Sequence, residues 1–204
     1  MARKMVDDTG NAFRYVQQLY DEVATLVREI EGTLMEQPES FLIGRPAGYS
    51  ISGRSSTGLE QQNVNRWLTR RFAVFFVEEE ITTTRAGQTI TPIEDSTRVL
   101  YLRFLMDGFQ NFKYGGEPIT EPTLLFGVIT HPRSPNSKRT KFEQLMGDIE
   151  YVEPKLMARL PEVDLRETYV GARGHLNRVG LFELKDPETL ARLVIEPLLA
   201  QYRA

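Results

Sequence analysis

The chain contains no cysteine, and that one absence removes disulfide scaffolds, thiolate zinc sites, iron–sulfur clusters and cysteine nucleophiles together. It fits a reducing compartment, and a cytoplasmic location is expected. Histidine is almost as scarce: only His131 and His175 occur. No His-x-x-x-His or His-x-Glu spacing joins them to other ligands, so neither a metal nor a cofactor is expected. There is no Gly-x-Ser-x-Gly elbow for a serine nucleophile. The run Gly53-Arg54-Ser55-Ser56-Thr57-Gly58 has the composition of a phosphate cradle but lacks the Gly-Lys-Ser/Thr ending that makes one work. No apolar stretch approaches the roughly 20 residues needed to span a bilayer, and the first residues lack the apolar core of a signal peptide, so no membrane association is expected. Positive charge is not in excess either. The net charge of −3 argues against nucleic acid as a partner, because phosphate affinity depends on concentrated Lys and Arg.

What is present is an ordinary globular composition, with 41% hydrophobic and 26% charged residues over a length of 204. A chain of this size buries roughly 70% of its unfolded surface without help from disulfides or metals. The expectation is one α+β domain over 1–204, with an N-terminal helix at about 11–35, a sheet core at about 66–131 and a C-terminal helical part at about 139–204. Phe13, Val16, Tyr20, Val23, Val27, Ile30 and Leu34 recur at helical spacing, with Thr9 or Asn11 placed to cap the start and Gly32 and Pro38 to end it. Leu19 and Leu26 widen this stripe beyond what a sheet contact alone requires, which points to a homodimer. Trp67–Val77, Val99–Met106 and Thr123–Thr130 are rich in β-branched and aromatic residues and bounded by turn formers, the signature of strands.

These strands are apolar on both faces, so the sheet needs cover on both. The fold class expected is α+β, a mainly antiparallel sheet of about four to six strands covered by the long N-terminal helix on one face and by C-terminal helices on the other face or at the edge. Short edge strands are expected at Phe41–Ile43 and Tyr49–Ser52, and a protruding hairpin from Ile81–Thr84 and Gln88–Ile93 around Gly87. Phe109, Phe112 and Tyr114 are expected to tuck against the sheet. After the loop Pro132–Lys141, Phe142, Leu145, Met146, Ile149 and Val152 recur at helical spacing up to Pro154. Gly171–Asn177 reads as a loop, Val179–Leu184 as a strand, and Asp186-Pro187-Glu188-Thr189 as a capped helix start. Pro197 is expected to kink that last helix or to split off its last turn.

The candidate ligand-binding residues are Arg71, Arg103, Tyr101, Arg173 and His175. Alternation puts Arg71 and Arg103 on the less uniformly apolar face of their strands, Arg103 near Tyr101. If the strands are neighbours, two guanidinium groups on a partly covered sheet repel unless carboxylates, a small acidic ligand or an acidic partner neutralises them. Arg173 and His175 lie together in the Gly171–Asn177 segment. With no catalytic signature in the chain, the expected function is a non-enzymatic cytosolic sensor or adaptor, ligand- or protein-binding and homodimeric.

One short motif supports a different class. Glu183-Leu184-Lys185, at the end of an expected strand, resembles the Glu-x-Lys of the restriction-endonuclease-like superfamily. The resemblance implies a magnesium site with an acidic partner on the preceding strand, here Asp164 or Glu167, and thus a metal-dependent nuclease or phosphate-handling enzyme using Glu183 and Lys185. It covers a single tripeptide.

Overall fold

A computed structural model describes residues 2–43, 71–78, 83–85, 88–90, 97–106, 112–130, 149, 159–166 and 171–204. The edge strand expected at Tyr49–Ser52, the Gly53–Gly58 run, residues 67–70, the loop Pro132–Lys141, His131, Glu167, Phe109 and all but Ile149 of the apolar series from Phe142 to Val152 lie outside the described residues.

The N-terminal periodicity produces one long helix, α1 (Ala2–Met35). It starts earlier than the expected cap at Thr9 or Asn11. A single glycine inside a helix costs only about 1 kcal/mol, so Gly10 does not stop it, and the Asn11 side chain accepts a hydrogen bond from Arg14 Nη2 at 2.7 Å instead of capping. The strands are β1 (Phe41–Ile43), β2 (Arg71–Glu78), β3 (Thr83–Arg85), β4 (Gln88–Ile90), β5 (Arg98–Leu105), β6 (Lys113–Tyr114), β7 (Glu117–Pro118), β8 (Thr123–Thr130), β9 (Glu162–Asp164) and β10 (Arg173–Gly180). A 3₁₀ turn at Leu181–Glu183 follows. The chain then ends in α2 (Pro187–Leu190), a π-helical turn at Ala191–Ile195 and α3 (Glu196–Arg203).

Six of the strands form one antiparallel sheet in the order β1-β2-β5-β8-β10-β9. The hairpins β3–β4 and β6–β7 stand apart from it. The fold is therefore α+β, an antiparallel sheet with a long N-terminal helix and a C-terminal one. The strand expected at Val179–Leu184 is displaced: pairing with β8 runs from Arg173 to Gly180. The reason lies in Gly174, His175 and Asn177, which read as loop formers but here occupy paired strand positions.

Alternation sorts the core into two layers. Phe76, Leu100, Leu102, Phe104, Leu124 and Phe126 point to one face, where Val23, Ile30 and Leu34 of α1 pack together with Leu190, Val194, Leu198 and Tyr202 of the C-terminal helix. α1 and the last helix thus share one face, while Ile149, the one described residue of the helix expected at Phe142–Val152, packs on the other. Ala73, Phe75, Val77, Val99, Tyr101, Leu105, Leu125 and Ile129 point to the other face, against Ile119, Ile149, Leu160, Val163 and Leu165. Burying a Leu, Val or Phe side chain contributes about 1.5–3 kcal/mol, so each layer is a substantial source of stability.

Candidate functional site

The face away from the helices carries a charge where a core would carry none. Arg103 is 1% exposed, and no fully buried side chain among the described residues is larger. The alternation of β5 puts it between Leu105 and Tyr101, and its Nη1 donates to the Tyr101 hydroxyl at 3.1 Å. In register it lies opposite Ala73 on β2 and Leu125 on β8, and Leu125 lies opposite Arg178 on β10. Arg71, opposite Leu105, is the diagonal neighbour of Arg103. Arg71, Arg103 and Arg178 therefore project from one face at one end of the sheet. Strand spacing of about 4.8 Å puts the backbones of Arg103 and Arg178, two strands apart, roughly 10 Å from each other. The diagonal from Arg71 to Arg103 is about 7–8 Å.

The segment between β5 and β8 supplies aromatic partners. Gly115 and Gly116 hold φ of 60° and 92°, the positive values that a two-residue hairpin turn requires. The turn is fastened by Gly115 N–H donating to Leu160 O at 3.0 Å and by Ile119 N–H donating to Phe112 O at 2.9 Å. So anchored, the hairpin sets the Phe112 ring 5.8 Å from the Arg71 guanidinium carbon and the Tyr114 ring 5.2 Å from that of Arg178. Burial pushes the Tyr114 hydroxyl above its ordinary pKa, against the pull of Arg178, so the ring stays neutral. A guanidinium stacked on a ring keeps its in-plane N–H donors directed outward. Arg71, Tyr101, Arg103 and Phe112 each make further interactions as well. Arg71 and Arg178 are exposed and Arg103 is buried.

Arg173 and His175 do not join this group. Both sit at the far end of β10 and on the opposite parity from Arg178, so they project toward the helix-bearing side. His175 Nδ1 lies 2.7 Å from Glu162 Oε1, and Arg173 faces Asp164 in register. Gln201 of α3 donates to the His175 carbonyl at 2.9 Å. The five candidate residues thus divide into two sets on two faces, Arg71, Tyr101 and Arg103 in one and Arg173 and His175 in the other.

Glu183, Lys185 and Asp164 are not brought together either. Asp164 faces Arg173, the first residue of β10, whereas Glu183 follows Gly180, the last. At about 3.3 Å per residue roughly 23 Å of strand separates them. Glu183 Oε1 accepts from the backbone N–H of Gly180 at 3.1 Å and so closes its own turn. Asp164 is held by Arg166, whose Nη2 donates to Oδ2 at 2.6 Å and Nε to Oδ1 at 2.9 Å. The Arg166 side chain and backbone N–H hold that carboxyl well below the usual range. Among the described residues no group of three or more His, Asp or Glu could hold a metal ion.

One further concavity, of about 280 Å³, lies between α1 and the C-terminal helix, where Glu29, Glu36, Leu190 and Ile195 line it. None of the candidate residues reaches it.

Arg178 was not singled out from the sequence. Its only signal was the alternation Leu176, Arg178, Gly180 against Asn177 and Val179, which the loop-like Gly171–Asn177 segment obscured. Among the described residues no helix is long and apolar enough to cross a membrane. No protein-family model, curated protein or solved structure matches the chain.

Proposed function

We propose that the chain is a non-enzymatic cytosolic binding domain of the sensor or adaptor class, working as a homodimer, and that it takes a carboxylate- or phosphate-bearing ligand at the arginine end of the sheet. One observation carries the reading: Arg71, Arg103 and Arg178 share one end of one face, and two of them are backed by aromatic rings. Three guanidinium groups this close raise the local positive potential, and an arginine preset by stacking loses less freedom when it engages an acid. The buried Arg103 supplies field from beneath, while Arg178 supplies exposed donors. The acid could come from a small ligand or from an acidic peptide, and the chemistry is shared.

The test is calorimetric titration with succinate, inorganic phosphate and an oligoglutamate peptide at low salt. At least one should bind, and added salt should weaken the binding. Arg178→Ala should lower the affinity about tenfold, equivalent to about 1.4 kcal/mol, and leave thermal stability unchanged. If none of the probes binds, or if Arg178→Ala binds as the parent does, the reading is wrong.

A further inference from the structure

Gly32 lies inside α1, where glycine is a poorer helix former than any residue but proline, and no neighbour requires it there. A Cβ at that position would meet nothing within 4 Å. The space left open belongs to the concavity between α1 and the C-terminal helix, which Gly32 lines together with Glu29, Thr33 and Glu36. These four positions follow the spacing i, i+3, i+4, i+7 and so form one stripe along α1. Across from them stand Pro187, Leu190, Ala191 and Ile195. Ala191 and Ile195 are the two ends of the π-helical turn, a widening that recurs at functional sites.

The lining is selective in what it can hold. Its charges are those of Glu29 and Glu36, both exposed, and neither carboxylate has a hydrogen-bond or ion-pair partner among the described residues. Thr33 has already used its proton, since its Oγ1 donates to the Glu29 carbonyl at 2.8 Å. No lining side chain is left to donate to an acid or to a neutral carbonyl compound, so the ligand must supply the protons. The wall across the groove is aliphatic throughout and offers no ring on which a planar ligand could stack. Glu29 and Glu36 are two turns apart, about 10 Å along the helix axis, one on either side of the Gly32 notch. Two cations joined by a flexible aliphatic chain meet all of these conditions together. A basic segment of another protein does not. Arg28 adjoins Glu29 and Arg192 adjoins Ala191, both exposed, and a broad basic surface would run into them, whereas a thin chain between the two carboxylates would not. The volume of about 280 Å³ agrees, being at the small end of ligand sites, which run from about 300 to 1,000 Å³.

We infer that this groove binds a linear aliphatic diamine in its diammonium form, with the methylene chain along Gly32, Leu190 and Ile195 and one ammonium at each of Glu29 and Glu36. The site lies on the helix-bearing side of the sheet, apart from the arginines, and takes a ligand of the opposite charge. It therefore stands or falls independently of the function proposed above.

Calorimetric titration of the full chain at low salt tests it with three probes: diaminoheptane and diaminopropane, each with its amino groups at the chain ends, and heptylamine. Diaminoheptane should bind about fivefold tighter than heptylamine, the order of gain that a second exposed ion pair supplies. It should also bind tighter than diaminopropane, whose chain is too short to serve both carboxylates. Glu29→Gln and Glu36→Gln should each remove that gain, and added salt should shrink it. Gly32→Leu should abolish binding while the protein folds as the parent does, because the new side chain enters open space. The two glutamine variants alter exposed side chains only, and they decide the matter if Gly32→Leu fails to fold. The inference is wrong if no probe binds, or if heptylamine or diaminopropane matches diaminoheptane. It is equally wrong if either glutamine variant, or a folded Gly32→Leu, binds diaminoheptane as the parent does, since the amine would then sit elsewhere on the chain.

Discussion

Gly127 and Gly174 show how much of this fold turns on single residues without side chains. They sit on adjacent strands, on the same face, and a Cβ on Gly127 would overlap the His175 carbonyl oxygen while one on Gly174 would overlap that of Val128. An isolated glycine within a strand pattern marks such a close backbone approach. Gly127 was readable as a strand residue because Leu124, Leu125, Phe126, Val128 and Ile129 surround it. Gly174 was not, because Gly171, His175 and Asn177 around it suggest a loop, and the start of β10 was lost with it. The same loss hid Arg178, and with it one third of the arginine set. Gly127→Ala should destabilise the protein by more than about 2 kcal/mol, in the tail of single substitutions that force backbone to move. Gly32→Ala, in α1 with nothing within 4 Å of the added carbon, should instead be neutral or stabilising by up to about 1 kcal/mol. Urea denaturation of the two variants reads the opposite signs directly, and a neutral Gly127→Ala would remove the close approach of β8 and β10.

At the scale of elements, the ends of the last helix were legible and its middle was not. Asp186 does cap it: its Oδ1 accepts from Thr189 N–H at 2.8 Å, while Thr189 Oγ1 accepts from Asp186 N–H at 3.3 Å. Pro187 takes the first position, where a missing N–H costs nothing. Pro197 produces a widened π turn at Ala191–Ile195 rather than a split, since it has no N–H to return to the carbonyl of Leu193. The widening keeps Val194, Leu198 and Tyr202 on the buried side, a compromise that packing decides and local sequence does not state. The Thr189 backbone N–H, and then its hydroxyl, lower the Asp186 pKa from its ordinary 3.8. A carboxylate whose pKa is depressed by folding contributes stability above its unfolded pKa and loses it as pH falls through the folded one. Asp186→Ala should therefore lower the Tm at neutral pH, and the gap between variant and parent should narrow as the pH is brought down through the acid range. Scanning calorimetry at a series of pH values checks it, and a gap independent of pH would show that the ionised cap is not the cause.

For the whole molecule, strand periodicity announced a sheet apolar on both faces but not which helix goes where, because each helix has an ordinary apolar stripe that fits either face. Long-range polar contacts help to decide it. Arg98 of β5 donates to the Tyr202 carbonyl and places its guanidinium 6.0 Å from the Tyr202 ring. The ring packs edge-on against Phe41 of β1 at 4.9 Å. Arg203 grips Glu39 through two hydrogen bonds at 2.7 and 2.8 Å. The end of the chain is thereby held to β1, β5 and the α1–β1 connection, beside α1 and on the same face. Burial first, then a hydrogen bond with Glu78, push the Tyr202 hydroxyl far above its ordinary pKa of 10.0. A tyrosine raised in this way contributes stability that is fully present below its unfolded pKa and is lost as pH rises toward the folded one. Tyr202→Phe keeps the ring contacts and removes the hydroxyl, so it should cost about 1 kcal/mol near neutral pH, the net worth of one hydrogen bond. Above the ordinary tyrosine pKa of 10.0 the parent loses this advantage while the variant has none to lose, so their urea midpoints should converge. Phenolate absorbance supplies the independent readout: the parent should show one more tyrosine than the variant that ionises only when the protein unfolds. Midpoints that stay parallel through the alkaline range would mean that the Tyr202 hydroxyl ionises as freely in the folded chain as in the unfolded one, and that its hydrogen bond does not help to hold the last helix in place.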